Sequence, residues 1–215
     1  MKITLLCSDA GHPIFPRMST WAAQHADRHK IAIETKSKDL PGGDILFLIS
    51  CHELIPTSIR KHYKKTLVIH SSDLPSGRGW SPHVWAILEG QKRIVVTLLE
   101  AEDAPDSGAI WAKTSFDLEG HELWEEINEK LFIAELEMLT FAVENFGLVQ
   151  PMPQPATGAT YYRRRTPKDS KIDINRSIAE QLPLLRISDP VRYPAYFEKD
   201  GHTYEITLRK RMGKF

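Results

Sequence analysis

Cysteine is nearly absent: Cys7 and Cys51 are the only two in 215 residues. Each lies in or beside an apolar run, and no Cys-x-x-Cys pair occurs. Both read as reduced core thiols, which excludes a disulfide framework and leaves no basis for a structural zinc or any other metal. Excess charge is absent too: 28 Lys and Arg balance 28 Asp and Glu. A broad nucleic-acid surface needs clustered positive charge, so no nucleic-acid partner is expected, although a local basic pocket for a phosphorylated ligand remains open. No apolar run approaches the roughly 20 residues of a membrane span. The segment Met1-Lys2-Ile3-Thr4-Leu5-Leu6-Cys7 is too short for a signal peptide and lacks a cleavage site. The expected setting is therefore the cytoplasm, without a membrane partner. Internal repeats and low-complexity tracts are also missing.

What the chain does have is ordinary globular composition, with 41% hydrophobic and 26% charged residues. Its length is enough for a core that needs no staples. Apolar runs at Ile3–Cys7, Ile31–Glu34, Asp44–Ser50, Thr66–His70, Ile94–Leu99 and Ala109–Phe116 read as strands. Between them, residues 15–29 carry Met18, Trp21, Ala22 and His25 at helical spacing, and Pro56–Tyr63 reads as a short helix. Ser81-Pro82 reads as an N-cap and first turn of a helix that runs to Glu89 and stops at Gly90. The longest helix is expected over about 121–145, with Leu123, Ile127, Leu131, Leu136, Leu139 and Val143 on one stripe and Gly147 as its stop. Strands alternating with helices imply an α/β fold of Rossmann-like type around a mostly parallel sheet. Residues 1–149 form the main domain in this reading. Residues 150–160, with three prolines, form a linker. Residues 161–215 form a small α/β appendage ending in a hairpin, where Asp200-Gly201 separates two strand-like runs.

Ligands of open α/β sheets bind beyond the carboxyl ends of the strands. Three polar loops fall there, at 8–13, 70–80 and 103–108. His70 closes one strand and Asp106 lies on the loop after the next, so neighbouring strand ends can bring the two together. An imidazole oriented by a carboxylate accepts a proton from an attacking amine; a histidine in this position also serves as a hydrogen-bonded structural residue. Ser8, Asp9 and His12 follow the first strand and are positional candidates for acceptor contacts.

His70-Ser71-Ser72-Asp73-Leu74-Pro75 followed by Arg78-Gly79-Trp80-Ser81-Pro82 resembles the signature of the folate-dependent formyltransferases. Asp106-Ser107-Gly108-Ala109-Ile110 resembles that family's Asp-x-Gly-x-Ile, and Leu54-Ile55-Pro56 its folate-side loop. The resemblance covers about residues 1–145. It implies a catalytic pair of His70 and Asp106 and N10-formyltetrahydrofolate as formyl donor. His52, Glu53, Leu54, Ile55 and Asp103 would border the folate, and Arg78 and Trp80 the acceptor. The family usually places an asparagine two residues before the histidine, as an oxyanion donor. Here that position is Val68, and losing such a donor typically costs about 10²–10³ in turnover. Ser50, His52, Ser72 and Asp73 are the candidate substitutes.

The tail, Tyr161-Tyr162-Arg163-Arg164-Arg165-Thr166-Pro167-Lys168-Asp169 and then Tyr193-Pro194-Ala195-Tyr196, is similar to that of sugar N-formyltransferases. Tyr161 and Arg163 are therefore expected at the substrate, although a run of arginines is also an ordinary solvated surface. The resemblance implies a UDP- or dTDP-linked 4-amino-4,6-dideoxy sugar as acceptor, in polysaccharide or nonulosonic-acid synthesis of the pseudaminic type. A methionyl-tRNA formyltransferase is expected to carry a longer, basic C-terminal part. A relative that binds folate or nucleotide sugar but has lost catalysis is the third reading. A homodimer through the hairpin edge is also expected.

Overall fold

The computed structural model describes residues 1–211. Its strands are β1 (Lys2–Leu6), β2 (Lys30–Glu34), β3 (Gly43–Leu48), β4 (Tyr63–His70), β5 (Arg78–Gly79), β6 (Arg93–Glu100), β7 (Ile110–Asp117), β8 (Tyr161–Tyr162), β9 (Ala195–Lys199) and β10 (His202–Ile206). The helices are α1 (Phe15–Gln24), α2 (Thr57–Arg60), α3 (Pro82–Leu88), α4 (Trp124–Glu144) and α5 (Ile178–Ile187). Six strands form one sheet in the order β2-β1-β3-β4-β6-β7. The first four run parallel, whereas β6 and β7 join antiparallel.

Alternation along the strands separates two buried faces. Leu5, Phe47, Leu67, Ile69 and Leu98 face Met18 and Trp21 of α1 and Leu131, Phe132, Met138 and Leu139 of α4. Leu6, Leu46, Leu48, Ile55 and Tyr63 form the opposite layer, with Val68 against it. A third cluster joins Ile87 of α3, Ile94, Ile127 of α4 and Ile187 of α5.

Two local expectations change. α2 is a single turn that ends at Arg60, because Tyr63 already belongs to β4 and donates its hydroxyl to Thr4 Oγ1 at 3.1 Å. Ser81 precedes α3, but its backbone is left-handed (φ 47°) and its side chain makes no cap bond. α4 instead starts with the Glu126 carboxylate accepting the Leu123 N–H at 2.8 Å. The hairpin turns through Asp200 (φ 51°) and Gly201 (φ 82°), the conformation that makes Asp-Gly favourable there.

Residues 150–160 are mostly exposed but are tied to the main sheet. Met152 exchanges both backbone hydrogen bonds with Ile110 at 2.8 and 2.9 Å, and Thr160 accepts the Arg78 N–H at 3.0 Å. Beyond them β8 pairs with β5, while α5 packs against α3 and α4. There Arg186 Nε donates to the Glu122 carbonyl at 2.8 Å.

Candidate active site

His70 ends β4 in the centre of the sheet and is buried. Its Nε2 is 2.8 Å from the Gly77 carbonyl. A carbonyl only accepts, so Nε2 carries a hydrogen and Nδ1 is the nitrogen left for chemistry. Nδ1 faces Asp106 Oδ1 at 3.4 Å, a contact that is attractive with a proton between them. Asp106 Oδ2 accepts the Gly79 N–H at 2.9 Å. Gly79 reaches it because β5 runs beside β8 with φ 98°, and a Cβ there would lie 2.3 Å from the Tyr162 carbonyl.

The route to Asp106 differs from the expected one. β6 is antiparallel to β4, with Thr97 beside His70 and Glu100 beside Leu67, so the chain passes His70 and leaves β6 three residues beyond it. Residues 101–109 then double back. Gly108 passes so close to Glu100 that a Cβ would lie 1.9 Å from its carbonyl. Gln154 Nε2 holds the carbonyls of Asp106 and Gly108 at 2.8 and 2.9 Å, and Arg78 holds Gln154 Oε1 at 2.7 Å. A folded-back loop, not a shared parallel edge, brings the carboxylate to the imidazole.

A cavity of about 500 Å³ opens over this pair and straddles the sheet. On one side lie Leu48, Ser50, His52, Leu54, Ile55 and Val68; on the α4 side lie His12, His83, Ile127, Asn128, Phe132 and Glu135. Ser50 (φ 47°), Ser81 (φ 47°) and Asp106 (φ 55°) all line it. Left-handed backbone at residues other than glycine is strained, and such strain collects at functional sites.

Of the residues singled out from sequence, His12, Ser50, His52, Glu53, Leu54, Ile55, His70, Trp80 and Asp106 line the cavity. The others do not. Ser8 accepts the His52 N–H at 2.9 Å and so positions that loop. Asp9 pairs with Arg192 at 2.7 Å. Ser72 Oγ is buried without a partner among the described residues, and Asp73 is taken by Lys113 on the exposed side. Asp103 binds Arg60 and Thr57, while Glu53, though lining, turns its carboxylate to the Ser37 backbone. Arg78 braces Gln154, Tyr161 is exposed, and Arg163 pairs with Asp169 at 2.8 Å and lies over Trp85.

The sequence reading missed the lining residues His83, Asn128, Glu135, Asp189 and Arg192, and it quoted Arg164, Arg165 and Tyr193 in the tail without giving them a place in the site. Glu135 was legible, since it falls on the apolar stripe of α4 between Leu131 and Met138. Arg192 offered no signal. Burial pushes His83 down to about 4, aided by repulsion from His12 and His70. It pushes His12 down to about 4 as well, aided by Arg192. Burial alone pushes the Glu135 carboxyl up to about 8. Arg164 sits 4.7 Å over the Trp80 ring, whose other neighbour is the His52 ring at 5.3 Å. Among the described residues no group of three or more His, Cys, Asp or Glu side chains could hold a metal ion. No helix among them is long and apolar enough to cross a membrane.

An imidazole–carboxylate pair thus stands at the carboxyl end of a central strand of an α/β sheet and faces a cavity of small-ligand size, an arrangement suited to a group-transfer enzyme. The chain belongs to the formyl transferase family, whose model matches residues 8–143. Methionyl-tRNA formyltransferase of Rickettsia africae is 33% identical over 165 residues, which is 76% of this chain and 54% of that protein. The chain thus spans about half the length of the curated relatives it matches. Among solved structures, methionyl-tRNA formyltransferase from Clostridium thermocellum superposes with a TM-score of 0.84 at 21% identity, covering 99% of this chain and 94% of that one. HypX from Aquifex aeolicus in complex with tetrahydrofolic acid gives 0.81 at 23% identity, covering 97% of this chain and 37% of that one. A sugar N-formyltransferase from a Shewanella species gives 0.76 at 16% identity, covering 100% and 99%. At these identities the structures establish the shared fold.

Proposed function

We propose that this chain transfers the formyl group of N10-formyltetrahydrofolate to the primary amine of a nucleotide-linked amino sugar. The preferred acceptors are UDP- or dTDP-linked 4-amino-4,6-dideoxy sugars, in cytoplasmic polysaccharide or nonulosonic-acid synthesis of the pseudaminic type. The observation that carries this reading is one cavity with His70 and Asp106 at its centre and Arg164, Arg165 and Arg192 along its wall. Arg165 is half-buried there; its Nη2 donates to the Asp169 carbonyl at 3.0 Å, and its Nε has no partner among the described residues. Such a cluster suits a phosphate-bearing acceptor. On the other side, Leu54 is 64% exposed in front of Leu48, Ile55 and Val68. This apolar slot suits a flat pteridine ring.

As the acceptor nitrogen bonds to the formyl carbon, a tetrahedral oxyanion forms, and the bond from carbon to the donor nitrogen then breaks. His70 Nδ1 takes the amine proton, which Asp106 stabilises before it passes to the departing nitrogen. Val68 lines the cavity but offers no hydrogen bond, so Ser50 and His52 are the oxyanion donors in this scheme.

The second reading, formylation of methionyl-tRNA, is favoured by the curated relatives and by the Clostridium thermocellum structure. Release of tetrahydrofolate, measured with each class of acceptor, separates the two. His70→Ala and Asp106→Ala are each expected to lower turnover by more than about 10³-fold. Near-normal rates in His70→Ala would sink the mechanism. Sedimentation tests the homodimer expected through the β9–β10 edge.

A further inference from the structure

The α4 side of the cavity contains a carboxyl that the transfer step leaves unused. Glu135 is 6% exposed, and its Oε2 has no hydrogen-bond partner among the described residues. Packing does not explain it. Leu131, Phe132, Met138 and Leu139 fill the adjoining buried positions of α4, and an apolar side chain at 135 would complete the stripe without dehydrating a carboxyl. Glu135 shares the cavity wall with Asn128 and Phe132 of its own helix and with His12 and His83 from other elements.

The two imidazoles are neutral at pH 7, because burial lowers both to about 4. His12 Nδ1 accepts the Ile14 N–H at 3.3 Å, so its Nε2 hydrogen is left to donate. His83 Nδ1 is engaged with Ser71 Oγ at 3.0 Å, and Ser71 directly follows His70 in the chain. This compartment therefore offers hydrogen-bond donors and acceptors beside the apolar Phe132. A ring rich in hydroxyl or amino groups satisfies these polar atoms. A methionyl side chain would leave Glu135 facing a thioether.

We infer that the α4-side compartment is the ring site of the acceptor and that Glu135 is its specificity-determining hydrogen-bond partner. This rests on the nucleotide-sugar reading above. In this arrangement the arginines take the phosphates, Glu135 takes a ring hydroxyl or amino group, and the reacting amine lies toward His70.

Calorimetry on the full chain saturated with tetrahydrofolate tests it. The probes are UDP, dTDP, and the 4-amino-4,6-dideoxyglucose derivative of each. Glu135→Leu is expected to weaken the bound sugar nucleotide at least 10-fold and to leave the bare nucleotide within 2-fold. Glu135→Gln, which keeps size and hydrogen bonding, is expected to stay within about 3-fold of wild type for both. Equal affinity of wild type and Glu135→Leu for the sugar nucleotide overturns the inference and leaves the nucleotide-sugar reading standing. So does an equal loss for sugar nucleotide and bare nucleotide. A wild-type protein that binds neither sugar nucleotide, whether or not it formylates methionyl-tRNA, overturns both.

Discussion

At the scale of single residues, hydrogen-bond direction and backbone conformation decide which candidates can act. Ser50 stands at the end of β3 with φ 47° and lines the cavity, whereas Ser72 is walled off beside Gly77. Ser50→Ala is therefore expected to lower kcat by about 10²-fold with little change in KM, as for a donor that serves only the transition state. Ser72→Ala should leave kcat within 2-fold. Steady-state kinetics on both variants checks this. Glu135 supplies a second prediction, from its carboxyl raised to about 8 against an ordinary value of 4.5. Below that ordinary value the acid is neutral folded or unfolded, and its burial carries no charge penalty. As pH rises from there toward 8, the unfolded chain loses the proton while the folded chain keeps it. Glu135 therefore contributes a fall of about 1.4 kcal/mol per pH unit in that window. His12 and His83, held down to about 4 from 6.5, each contribute an opposing rise between those values, so only the difference between wild type and a Glu135 variant isolates the carboxyl. Glu135→Gln should remove this slope and stabilise the fold by about 3 kcal/mol near neutral pH. Urea unfolding between pH 5 and 8 measures it, and a slope unchanged by the substitution would refute it.

At the scale of elements, two residues of β5 matter as much as the long helix. Gly79 gives its N–H to Asp106 only because β8 lies against it, in a space that no Cβ can enter. Gly79→Ala is expected to push the strands apart, cost about 2–3 kcal/mol of stability, and lower kcat by 10-fold or more through Asp106. Thermal unfolding and kcat measured together test this; a normal kcat would show that β5 does not position the carboxylate.

At the scale of the whole molecule, the tail and the core share buried groups. Arg186 of α5 and Glu122 before α4 are 8% and 2% exposed. Dehydration opposes the Glu122 charge, but Lys130 and backbone N–H groups hold its carboxyl far below the usual range. Arg186→Met is expected to cost about 2–3 kcal/mol, less than an isolated buried pair, because Lys130 remains. A single cooperative urea transition, shifted as a whole, is the expected observation. A separate tail transition would contradict it.

The alternation of apolar runs and helical stripes determined the strands, the order of elements and His70 at a strand end. Those features are local, since side-chain period and turn chemistry follow from neighbours in sequence. The short motifs likewise marked Asp106 and the hairpin at Asp200-Gly201. Only the tertiary structure decided that β6 runs antiparallel, that residues 101–109 fold back to deliver Asp106, and that Arg164, Arg165 and Arg192 meet Glu135 and His83 around one cavity. Each of those outcomes depends on contacts between residues far apart in the chain, where dehydration and close packing act and no local pattern records them.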